Sequence, residues 1–113
     1  MRYTLNSYGL REKDMEFLKE TFQNFPVDKA AFFGSRARKD HRLSSDVDIA
    51  LWGGLSSEDV NRIHFILEND SPTLLRFDVV LFSEIRNNEL RENIQKDGKI
   101  FYEKEKVNIE TTA

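Results

Sequence analysis

Asp46 and Asp48 stand one residue apart in SDVDIAL, a stretch that alternates polar and apolar positions. Side chains at i and i+2 of a strand share a face. The two carboxylates therefore project together, about 7 Å apart along the chain, while Val47 and Ile49 face a core. Like charges so placed repel unless a cation lies near them. Mg2+ suits the pair, because it takes one or two carboxylates and completes its octahedron with water and phosphate oxygens. Asp78 is the third candidate. It interrupts the apolar run LLRFDVVLF, where an unpaired carboxylate would be costly to bury. If that run is a strand beside the first, Asp78 joins the same face. Three carboxylates can hold two metal ions about 3.5–4 Å apart, clamping the attacking and leaving oxygens of a phosphoryl displacement. Singly, each has a plainer reading: a polar edge-strand face for Asp46 and Asp48, a partnership with Arg76 or a helix N-terminus for Asp78.

Upstream lies FFGSRARKDHR. Gly34 allows close approach of the backbone to a phosphate, and Ser35 offers a hydroxyl and an N–H at the mouth of a helical turn, where an anion is favoured. Arg36 could fork onto a phosphate, which guanidinium does better than ammonium. Between Arg36 and Arg42 four cations (Arg36, Arg38, Lys39, Arg42) stand against the single acid Asp40. Arg38 and Arg42 serve equally well as nucleotide or partner contacts and as solvated loop charges. His41 and His64 have no companion at metal-ligand spacing, and Trp52 reads as a cap on the sheet.

The elements that would carry these groups follow from periodicity and punctuation. An apolar stripe over residues 10–24 reads as a helix stopped by Pro26, and VDKAAFF as a strand. Residues 46–52 and 74–82 read as the second and third strands. Between them Ser56 or Ser57 caps a helix with Val60, Ile63, Ile66 and Leu67 inward. Asn87 or Asn88 opens another, closed by Gly98, and KIFYE adds an edge strand. The expected class is α+β, a small mixed sheet covered by helices, formed by residues 1–102 with a polar, disordered tail over 103–113.

Length and charge set the limits. A chain of 113 residues is the size of one domain. It has no cysteine, which excludes disulfides and thiolate metal sites. No apolar run approaches the ~18 residues of a membrane span, and MRYTLNSYGLREKD has no leader-like apolar core, so a cytoplasmic location is expected. A net charge of −3 argues against direct nucleic-acid binding.

GSRARKDHRLSSDVDIAL, followed by a lone aspartate on a neighbouring strand, resembles the signature of the DNA polymerase β-like nucleotidyltransferases. Within that superfamily the wording is similar to the minimal nucleotidyltransferases, small antitoxins partnered with HEPN-domain toxins. The resemblance covers residues 10–102 and implies a polymerase β palm-like fold. It implies that Gly34 and Ser35 bind the triphosphate of ATP, that Arg36 steadies it, and that Asp46, Asp48 and Asp78 hold two Mg2+ ions, with Asp78 the base for the attacking hydroxyl. It further implies AMP transfer to a tyrosine of a HEPN partner in a hetero-oligomer. Two alternatives stand beside it: neutralisation of the partner by binding alone, and transfer to a small molecule such as an aminoglycoside. One departure is visible. Relatives commonly carry Gly where this chain has Lys39; if that position needs positive φ, lysine costs about 1 kcal/mol or more.

Overall fold

Leu18 and Phe22 carry the inner stripe of the first helix, α1 (Glu12–Gln23). Leu10 is buried as well, but from the turn that precedes the helix. Asp14 marks the true start: its carboxylate accepts from the Arg11 N–H at 2.9 Å. This computed structural model describes residues 4–105. After α1 come β1 (Val27–Phe33), the five-residue helix α2 (Gly34–Arg38), β2 (Val47–Gly53) and α3 (Ser57–Asp70). Then follow β3 (Phe77–Leu81), a 3-10 turn at Phe82–Glu84, α4 (Asn88–Asp97) and β4 (Lys99–Glu103). Ser56 caps α3 by accepting from Asp59 N–H at 3.1 Å, and Asn87 caps α4 through Leu90 N–H at 3.1 Å. Each such cap is worth about 1 kcal/mol.

Two strands begin later than their apolar runs suggest. β2 begins at Val47, leaving Asp46 just outside it. β3 begins at Phe77, because residues 71–76 make local bonds instead: Thr73 N–H donates to Ser71 Oγ at 3.2 Å and Leu75 N–H to Thr73 Oγ1 at 3.3 Å. Such side-chain acceptors compete with a strand ladder, and Leu74 is left in solvent.

The sheet order is β3-β2-β1-β4, mixed as expected. β1 pairs antiparallel with β2 and β4, while β2 and β3, joined through α3, are parallel; a parallel pair needs such a crossover. One face packs Ala30, Phe32, Val47, Ile49, Leu51, Phe77 and Leu81 against α1 and α3, which contribute Leu18, Phe22, Ile63 and Leu67. Phe101 of β4 stacks on Phe32 at 4.0 Å between ring centres. The other face has a smaller core at one end, where Ala50, Phe82 and Ile94 gather Phe33, Trp52, Val80 and Leu90 under α4. Trp52 belongs to this core, stacked on Phe82 at 4.9 Å beneath the Lys29 ammonium at 4.7 Å. His64 serves structure too, its Nε2 lying 3.1 Å from the Phe77 carbonyl.

Glu103 closes β4, and Lys104 N–H donates to the Asp28 carbonyl at 2.8 Å, so the sheet reaches past the boundary expected at residue 102. The expected tail beyond residue 105 lies outside the described residues. No helix among them is long and apolar enough to cross a membrane.

Candidate active site

The register of β2 and β3 pairs Asp48 with Asp78, and that of β1 and β2 pairs Asp48 with Phe33. In a parallel pair, residues in register point to the same face. Asp48 and Asp78 are thus neighbours on the face that α4 covers only at its far end. Asp46, two residues before Asp48, approaches the same face from just outside β2. Asp46 and Asp78 are exposed, whereas Asp48 is half-buried. Burial first, then the charges of Asp78 and Asp46, push the Asp48 carboxyl up to about 6; Arg36 and Arg38 oppose this. The acidic end therefore holds negative charge that the protein alone does not neutralise.

Gly34 makes this placement possible. It opens α2 with φ +68, and a Cβ there would collide with the Asp48 carboxylate. The strand-to-helix turn thus brings the backbone of Gly34 against the central aspartate, with Ser35 next in line. Of the six expected positions, Gly34, Ser35, Asp46, Asp48 and Asp78 meet in this region, but Arg36 does not face it. Its side chain is 0% exposed and turned inward. Nη1 donates to the carbonyls of Tyr8 at 2.8 Å and Gly9 at 3.4 Å, Nη2 to those of Ser45 at 2.7 Å and Leu43 at 3.2 Å. A guanidinium so committed does not fork onto a phosphate. Burial lowers its pKa, while Asp48 and Asp46 favour the charged form.

Arg38 takes the outward place. Three residues after Ser35, it lies on the same side of the short helix, is exposed, and pairs with Asp40 at 3.2 Å. Its charge acts on Asp48. The helical spacing contained this signal, since α2 separates Arg36 from Ser35 and Arg38. Lys39 ends the helix in the left-handed region with φ 65 and ψ 25, the positive φ suspected at that position.

Three carboxylates make a donor set for a hard cation. Among the described residues no three His, Cys, Asp or Glu side chains converge closely enough to hold an ion by themselves. Mg2+ does not require that, since it keeps several waters and uses one or two carboxylates plus phosphate oxygens. The uncompensated charge around half-buried Asp48 fits such an ion.

A sequence profile of the family described as polymerase beta, nucleotidyltransferase matches residues 16–107, and the chain belongs to that family. No curated protein matches the sequence. Among solved structures, the fold is similar to a toxin–antitoxin crystallised with AMP-PNP, at 18% identity and TM-score 0.65 over 80% of this chain and 74% of that one. An MntA–HepT toxin–antitoxin matches at 16% identity and TM-score 0.61, over 83% of this chain and 74% of that one. A protein described as a minimal nucleotidyltransferase matches at 25% identity and TM-score 0.59, over 74% and 85%.

Proposed function

We propose that this nucleotidyltransferase moves AMP from ATP to a tyrosine hydroxyl of a HEPN-domain toxin and so acts as its antitoxin in a cytoplasmic complex. The observation that carries the chemistry is the in-register pair Asp48 and Asp78, with Asp46 on the same open face and Gly34 against Asp48. Membership of the family supports the reaction class, and the likeness in fold to toxin–antitoxin structures supports the choice of acceptor.

Asp46, Asp48 and Asp78 would hold Mg2+, one ion or two, which when bound neutralises the triphosphate and the charge that builds on it. Gly34 and Ser35 line the path of the triphosphate, and Arg38, in place of the buried Arg36, supplies the outward cation. Asp78 takes the proton of the acceptor hydroxyl. The hydroxyl oxygen then bonds to the α-phosphorus, the α–β phosphoanhydride breaks, and pyrophosphate leaves with the electron pair. Catalysis of this kind is positioning and charge stabilisation.

The test is intact-mass spectrometry of the candidate partner after incubation with this chain, Mg2+ and each of the four nucleoside triphosphates in turn. The expected result is one or more AMP increments with ATP, absent with Asp46→Asn. A stable complex with no increment would overturn the catalytic reading.

A further inference from the structure

Arg36 is buried without a carboxylate in contact, an expensive arrangement for a charged group. Four backbone carbonyls take its Nη donors, and its Nε has no partner. Two of the carbonyls belong to the N-terminal turn. There Asn6 Oδ1 accepts from Tyr8 N–H at 2.9 Å and Leu10 N–H at 3.0 Å, and Gly9 N–H donates to the Asn6 carbonyl at 2.9 Å. The other two belong to the turn at residues 42–45, closed by Arg42 N–H on Ser45 Oγ at 2.8 Å and Ser45 N–H on the Arg42 carbonyl at 3.0 Å. Asp46 follows that turn directly. Its backbone is held on one side by the sheet, where Val47 N–H donates to the Arg76 carbonyl at 2.8 Å. On the other side it is held by the Arg36 bond to Ser45.

We infer that Arg36 is a positioning residue: its guanidinium joins the N-terminal turn to the turn that delivers Asp46, so the geometry at Asp46 depends on residues 6–10. Gly9 is the second half of the device. It has φ +75, and a Cβ there would stand 2.8 Å from Arg36 Nη1 and 2.6 Å from His41 Nε2. Any side chain at Gly9 therefore pushes on the guanidinium at Nη1, the nitrogen that bonds the N-terminal turn. Lysine cannot replace Arg36, because a single ammonium cannot span two pairs of carbonyls in one plane. The inference rests on the proposed role of Asp46 as a metal ligand only for its consequence; the mechanical coupling stands apart from it.

The experiment compares wild type, Arg36→Lys, Arg36→Met and Gly9→Ala. Hydrogen–deuterium exchange is measured on the metal-free proteins, and Mn2+ affinity by paramagnetic resonance. Each variant should speed exchange in residues 42–47 and in residues 6–10 together, leaving the amides of α3 protected. Each should also weaken Mn2+ binding about tenfold, the size found when partners of metal ligands are removed. Gly9→Ala and Arg36→Lys carry the test if Arg36→Met does not fold. Folded variants with wild-type exchange in residues 42–47 and wild-type Mn2+ affinity would overturn the inference. Coupled exchange in a wild-type protein that transfers no nucleotide would overturn the proposed function and leave this coupling standing.

Discussion

Asp48 collects the conflicts of the site. Its carboxyl sits at about 6, against an ordinary 3.8, because burial, Asp78 and Asp46 all oppose its charge. A pKa raised in the folded state means stability that is fully present below about 3.8 and lost as pH rises through about 6. Asp48→Asn removes that loss. In metal-free protein the variant should match wild type near pH 4 and exceed it at pH 7.5 by about 1 kcal/mol, a figure reduced because the half-exposed group is screened. Mg2+ should narrow the gap by binding wild type alone. Thermal melts across pH decide this, and a pH-independent difference would show that burial and the neighbouring carboxylates do not raise the Asp48 carboxyl. Lys39 illustrates a different strain. At φ 65 it holds a conformation costing about 1–2 kcal/mol for an L-residue, so Lys39→Gly should raise stability by about 0.5–1 kcal/mol net of glycine's entropy. A lower denaturation midpoint in the variant would refute this.

At the level of elements, the strands that carry Asp48 and Asp78 were legible because residues 46–49 alternate polar and apolar ahead of an apolar run, and because Asp78 is conspicuous in another. The ends were less legible. Leu74 and Leu75 are as apolar as a strand, yet Ser71 bonds the Thr73 N–H and Thr73 the Leu75 N–H, an effect of local bonding that hydrophobicity does not report. The orientation of Arg36 was hidden for another reason: two of the four carbonyls that hold it come from residues 8 and 9, distant in sequence and marked by no motif. Gly34 was marked by its place after a strand, but the need for it comes from the neighbouring strand. Asp48 occupies the space of its missing Cβ. Gly34→Ala should therefore shift α2 against β2 and lower transfer about a hundredfold, as a displacement near 1 Å can do, while the core packed on α1 and α3 persists. Nucleotide-transfer rates together with a near-wild-type melting temperature would bear this out. Unchanged transfer would mean that Asp48 moves aside without consequence.

The described helices and strands form one sheet and its covers, with the carboxylates at the end of the face that α4 leaves open. Under the proposed function, an open carboxylate face suits an acceptor delivered on another macromolecule, since the acceptor hydroxyl would reach Asp78 from outside. This separates the two readings of an antitoxin. A protein that only covers its partner neutralises one equivalent and is consumed, whereas a transferase acts repeatedly. With ATP and Mg2+, a small amount of this chain should silence a large excess of partner, and the silencing should persist after the chain is removed. Asp46→Asn combined with Asp48→Asn should end the turnover while leaving the complex intact, because both residues lie outside the two apolar cores. Loss of transferred charge stabilisation of this kind commonly costs several kcal/mol of barrier, about a thousandfold or more in rate. Titration of partner activity against the amount of chain reads the difference directly: a break at one equivalent, unaffected by ATP or by the double substitution, would assign neutralisation to binding and leave the carboxylates without a part in it.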